Sequence, residues 1–212
     1  MTTPMIESAI NAFILLFVVI DPVGVAPTYA ALIRNQPPAA SRATAVRGVS
    51  VALAIFVFFI FGGRALLRYL GVGMPAFTIA GGILLFLLAV DMVLVRQSGL
   101  RTVIPSEQLE AERRDDISVF PLAIPMIAGP GSLTTVLLLT GDQGWRSAQT
   151  WMVLGVVAVI LLITLIMLLA AQIISRALGE TGVNVVARVF GIVLAALAVQ
   201  YVSNGLHAIM PY

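Results

Sequence analysis

Cysteine is absent from the 212-residue chain, so disulfides, thiol nucleophiles and cysteine-based zinc or iron sites are excluded together. Histidine occurs once, as His207, which leaves little for a metal site, and no cofactor is expected. Lysine is missing too. All twelve basic residues are arginines, spread between the hydrophobic runs without a cluster, a distribution that does not suit nucleic acid. Charge is scarce altogether: 10% of residues are charged and 60% are hydrophobic, against roughly 25% charged in an average soluble domain. The net charge of +2 is small. Several apolar runs reach the roughly 20 residues a helix needs to cross a hydrocarbon core about 30 Å thick. Bilayer insertion accounts for both the missing charge and the long runs.

Six hydrophobic segments are predicted, at about 6–33, 46–67, 75–95, 117–140, 151–174 and 183–210, which makes this an all-α membrane protein. The chain start has no positive n-region and its apolar stretch continues past Asp21 without a small-residue cleavage pattern, so the first segment is expected as a retained helix. Charge returns at 96–116, read as a solvated connection at the midpoint. Nine arginines flank the first, third and fifth connections and three flank the others, which places the nine in the cytoplasm and both termini outside.

The third and sixth segments are alike. From Gly82 to Val93 and from Gly191 to Val202, an offset of 109, seven of twelve positions are identical. The first and fourth segments align at 107, pairing Phe13 with Phe120 and Gly24 with Gly131, or at 108, pairing Pro22 with Pro130. Two three-helix units are therefore expected, at about 1–95 and 117–212. Three crossings per unit send the second copy in from the opposite side, so the repeats are inverted, an arrangement that serves alternating access in carriers.

The first and fourth segments are interrupted near mid-bilayer. Asp21-Pro22-Val23-Gly24 reads as a helix stop and restart, with aspartate at the N-cap and proline at the first helical position, and Pro27 follows one turn on. Gly129-Pro130-Gly131-Ser132 cannot hold a regular helix, because Pro130 lacks a donor and the glycines add freedom. Irregular backbone at this depth is tolerated only where protein or a water-filled cavity satisfies it, and matched breaks in two halves point to a carrier's binding site. The breaks are expected to face each other. Restarted N–H groups would then meet a substrate carboxylate, while Asp21, free carbonyls and the hydroxyls of Ser132, Thr134 and Thr135 would meet its ammonium or a coupling proton. The expected partner is a small zwitterion. Kinking and close packing are the competing uses of such prolines and glycines, and Gly81 and Gly82 are assigned to close helix approach. Asn11, Asp91, Gln200 and Asn204 are further cavity candidates; Asp91 serves equally as an interfacial carboxylate or ion pair, and Gln200 with Asn204 as polar glue between helices.

Two stretches carry a family resemblance. The run Phe13-Ile14-Leu15-Leu16-Phe17-Val18-Val19-Ile20-Asp21-Pro22-Val23-Gly24-Val25-Ala26-Pro27 and the run Pro121-Leu122-Ala123-Ile124-Pro125-Met126-Ile127-Ala128-Gly129-Pro130-Gly131-Ser132-Leu133-Thr134-Thr135 resemble the two signatures of the MarC-type family, and chain length and span count agree. The family name refers to multiple antibiotic resistance, and some members are described as transporters of neutral amino acids such as glycine and alanine. The resemblance implies secondary transport of small neutral amino acids across a bacterial-type inner membrane, by an exporter or a proton-coupled carrier, with Asp21 and the Gly129 to Thr135 stretch at the site.

Enzymatic activity is not expected. An intramembrane aspartyl protease would need two catalytic aspartates, and neither Asp21 nor Asp91 stands in a Gly-x-Gly-Asp setting. A channel would need no alternating halves, and a drug exporter would need a site for a bulkier solute than small breaks with hydroxyls suit.

Overall fold

The computed structural model describes residues 3–34, 36–94, 117–140 and 147–210. The charged connection expected at 96–116 lies outside the described residues, as does Arg146. All regular structure among the described residues is helical: α1 (Thr3–Ile20), α2 (Pro22–Leu32), α3 (Pro38–Tyr69), α4 (Met74–Leu94), α5 (Ser118–Ile127), α6 (Pro130–Leu139), α7 (Ala148–Leu169) and α8 (Ala171–Ile209). Five stretches are long and apolar enough to cross a membrane: Met5–Leu32, Pro38–Tyr69, Met74–Leu94, Ala148–Leu169 and Thr181–Ile209. The pair α5 and α6, bent by 55° at its break, makes a sixth when counted as one span. Large apolar side chains such as Phe58, Leu162 and Ile192 stand exposed around the outside, as hydrocarbon solvent allows and water would not.

Both expected interruptions exist, and they differ in kind. Asp21 joins α1 to α2 as a single left-handed residue at φ 48°, ψ 66°. Aspartate tolerates that region because its short polar side chain bonds locally. Its N–H still reaches Phe17 O at 2.9 Å and its carbonyl already accepts from Val25 N at 3.0 Å, so one residue ends α1 and begins α2. The helices therefore continue as one 28-residue span. In α8, Gly179 at φ 61° breaks the helix before the crossing segment begins, a conformation that glycine alone adopts without a Cβ penalty.

The fourth span is disrupted more deeply. Pro121 and Pro125 remove two successive donors of an i to i−4 ladder, and the residues before them, Phe120 and Ile124, sit in extended backbone at φ, ψ of −128°, 124° and −125°, 126°. Both Xaa-Pro bonds are cis. The surviving bonds span five residues, from Leu122 N to Ile117 O (3.3 Å) and from Ala128 N to Ala123 O (2.8 Å), so α5 is a wide π-type coil. Regular helix resumes only at Pro130, after the extended residue Gly129.

The core has two parts. The larger gathers α1, α2, α3, α5, α6 and α7 around residues such as Leu16, Phe56, Leu122 and Val157. The smaller joins Val19 to the seam between α4 and α8, the most extensive helix pairing in the fold. At that seam a Cβ added at Gly82 would fall within 2.9 Å of Ala198 O and of Val202, and one at Gly191 within 2.9 Å of Met92 and Val93 and 3.1 Å of Ala89 O. Rising numbers on α4 meet falling numbers on α8, so the helices run antiparallel. The buried residues Gly82, Leu85 and Ala89 answer Gly191, Leu194 and Ala198, each pair 109 positions apart.

Candidate functional site

Asp21 is buried, with 1% of its surface exposed. Its carboxylate Oδ1 accepts from Gly24 N at 3.0 Å, capping the start of α2, where Pro22 supplies the donor-free first position. Gly24 is required there for space: a Cβ would stand 2.2 Å from Asp21 Oδ2. Pro27 lies one turn further on in α2, and Thr28 Oγ1 donates to Gly24 O at 3.2 Å. The first restart thus carries its own anion. A substrate carboxylate would compete with Asp21 there, which narrows the expectation that both restarted helices offer N–H groups.

At the second restart the N-cap is Gly129, which has no side chain to give, and Pro130 again occupies the first position. The N-cap residue of α6 therefore supplies no side-chain acceptor to the positive end of the helix. Its opposite end is held by Arg64 from α3, whose guanidinium donates to Leu137 O at 3.2 Å and Thr140 O at 2.7 Å. A cation on the last carbonyls complements the helix dipole and fixes the far end of α6.

A cavity of about 30 Å³ opens on that restart, lined by Gly129, Pro130, Gly131 and Ser132, by Pro125, Met126 and Ile127 of α5, by Leu84, Leu85 and Leu88 of α4, and by Val19 of α1. That is room for about two water molecules. Val19 brings the first span to within two residues of its own break, but Asp21, Pro22, Gly24 and Pro27 do not line the cavity. Gly131 meets α4 closely, since a Cβ there would lie 2.2 Å from Leu85 Cδ2.

The hydroxyls singled out in the sequence are engaged locally. Ser132 Oγ lies 3.0 Å from Ile127 O and 2.9 Å from Gly129 O and donates across the break itself. Thr134 Oγ1 donates to Pro130 O at 2.8 Å, and Thr135 Oγ1 donates to Gly131 O at 2.9 Å while accepting from Tyr201 of α8 at 2.9 Å. Each oxygen keeps acceptor capacity, the half of a hydroxyl's bonding that an ammonium uses. Thr134 and Thr135 face helices rather than the cavity; Thr134 sits against Gly81, where a Cβ would fall 2.2 Å from its Oγ1.

The four further candidates fall elsewhere. Asn11 is exposed on α1, and Gln200 and Asn204 are exposed on α8, where Gln200 Nε2 donates to Asn204 Oδ1 at 2.7 Å. Asp91 is half-buried near the end of α4. None of these lines the cavity. Rotation of a helix about its axis is set by its neighbours, so residue type alone could not say which way these amides point. Two residues of the site had little signal in the sequence: Arg64, one of the three arginines that flank the second and fourth connections, and Tyr201, which ties α8 to α6. Tyr201 had one available signal, since it lies in the repeated stretch at the position of Met92.

A model of the MarC family of integral membrane proteins matches residues 6–210. The chain belongs to the MarC family. Among relatives of this MarC protein, a UPF0056 membrane protein of Aquifex aeolicus is 34% identical, covering 96% of the chain and 94% of that protein. The UPF0056 membrane protein MJ1677 of Methanocaldococcus jannaschii is 33% identical over 93% of the chain and 95% of its own length. The UPF0056 inner membrane protein YhgN of Escherichia coli K12 is 32% identical, with the same coverage. No solved structure matches the chain. The protein is a multi-pass integral membrane protein over its matched length.

Proposed function

We propose that this MarC protein is a secondary carrier, not an enzyme, that moves a small neutral amino acid such as glycine or alanine by alternating access. One observation carries the reading: two mid-span helix restarts, each with proline at its first position, of which one has a buried carboxylate at its N-cap and the other a glycine with no side chain to offer. The pair offers complementary charge. The bare start of α6 suits a substrate carboxylate, and Asp21 with the nearby hydroxyl oxygens suits an ammonium or a coupling proton.

The reciprocal packing of α4 and α8 supports an inverted-repeat reading. Contacts that exchange Gly82 for Gly191 and Ala89 for Ala198 describe a local two-fold axis across the seam, as two halves inserted in opposite senses would give. The cavity at the second break is too small for an amino acid. Admission of substrate then requires α5 and α6 to part from Val19 and from α4, the kind of rocking of one half against the other that inverted repeats permit. The arginine distribution supports termini outside the cytoplasm, and YhgN's designation as an inner membrane protein supports that location here.

Counterflow tests the proposal. Purified protein in liposomes preloaded with unlabelled alanine should accumulate labelled alanine transiently, and a screen of all twenty amino acids should favour the smallest neutral ones. Equal leak of every small solute without counterflow would indicate a channel, and exchange confined to bulky drugs an exporter of another class.

A further inference from the structure

Thr181–Ile209 is the least buried of the five long spans, and within its broad exposed surface, which also takes in Val185, Ile192 and Val199, one strip includes polar side chains. Val189, Val193, Ala196, Gln200, Ser203 and His207 recur at alternating intervals of four and three residues, the 3.5-residue period of a helix that packs along a second helix. All are exposed except Ser203, which is half-buried. Two are small, as close approach of membrane helices requires.

The amides say what covers this strip. Through the antiparallel seam Gln200 stands level with Gly82, which is packed against Ala198 and Val202. Gly82 lies two residues from the midpoint of Met74–Leu94 and Gln200 five from that of Thr181–Ile209, or about 3 Å and about 8 Å along the helices. Gln200 is therefore exposed near the middle of the membrane. Lipid chains there carry neither donor nor acceptor, and an amide left among them goes unsatisfied. Among the described residues, the side chains of Gln200 and Asn204 bond to each other and to no third group. That bond leaves an acceptor on Gln200 Oε1 and a donor on Asn204 Nδ2, on two exposed side chains. The remainder is self-complementary: two copies of the pair, related by a two-fold axis, satisfy each other without a third group.

We propose that this face of α8 is the contact surface of a homodimer whose axis runs along the membrane normal, with Gln200 and Asn204 of each copy bonded across it. The contact is independent of the transport reading, since it lies on the far side of α8 from the α4 seam.

The cysteine-free chain permits a direct test in native membranes. Ala196→Cys and Ser203→Cys should each give a dimer-sized band on mild oxidation, while Phe58→Cys, exposed on α3, should not. Gln200→Leu combined with Asn204→Leu should weaken association of fluorescently labelled full-length protein in bilayers by about tenfold or more while leaving membrane insertion unchanged. Absence of cross-linking at both α8 positions, equal cross-linking at Phe58→Cys, or undiminished association of the leucine variant would each overturn the dimer. Reaction of Ala196→Cys with a membrane-impermeant thiol reagent in a monomer would instead assign the amides to a water-filled path, and would also overturn it.

Discussion

At Asp21 the structural cap and the proposed role of the charge in transport can be separated by a single substitution. Its carboxylate caps Gly24 N from a left-handed backbone, and asparagine can do both, since it is as good an N-cap and tolerates that conformation. Asp21→Asn should therefore insert and melt like the parent yet lose transport or its coupling, read by labelled alanine counterflow. Asp21→Ala should lose the cap as well, at about 1 kcal/mol of stability, seen as a lower unfolding midpoint in detergent. If Asp21→Asn transports normally, the charge has no role in the site. Gly24→Ala acts on the same group by space: its Cβ would drive Asp21 Oδ2 from 2.2 Å, and the variant should mimic the loss of function with the carboxylate still present. The sequence already displayed the aspartate, the proline and the glycine as a restart, because caps and proline act through their own covalent geometry. It did not display the left-handed turn that keeps α1 and α2 in one span.

At the scale of elements, α6 is a half-helix held at both ends by other parts of the chain. Arg64 grips its last carbonyls, and α4 closes on its first turns through Gly81 and Leu85. Replacing Arg64 with glutamine should cost about 1–3 kcal/mol for the lost charged hydrogen bonds and reduce transport more than insertion, as flux per correctly inserted molecule would show. Gly81→Ala should force α4 off α6, because its Cβ would lie within 2.7 Å of Thr134 Cβ as well as of the rotatable Thr134 atoms. Such overpacking costs typically about 1–3 kcal/mol. A Thr134→Ala partner change should restore part of that loss, and a double-mutant cycle with no coupling would show that the two helices do not meet there. Gly129, Pro130 and Gly131 announced the break in the fourth span, and Pro121 and Pro125 extend it because the donors they remove are missing in any fold. The grip of Arg64 was not legible, because a guanidinium on a long side chain finds its acceptors only once α3 and α6 are side by side.

For the whole molecule, long apolar runs marked the five candidate crossings and the bent α5 and α6 pair that makes a sixth when counted as one span, and the stretch repeated at an offset of 109 lies at the α4 and α8 seam, where identical glycines and alanines answer one another. Facing was harder to read. Gln200 and Asn204 looked like cavity residues by type and stand on the outer surface, and Asn11 does likewise. The arginine count makes a further prediction at this scale: reporters fused to either terminus should be active only outside the cytoplasm, and cytoplasmic activity would reverse the orientation of every element described above. Transport by the proposed route requires that the start of α6, with Gly129 at its N-cap, receive the solute. Ser132→Cys in the cysteine-free chain measures it, by the rate at which a small methanethiosulfonate reagent labels the new thiol in proteoliposomes. The expected result is slow labelling that alanine or glycine suppresses in proportion to its concentration. Labelling that no amino acid alters, in protein that still exchanges alanine, would contradict it.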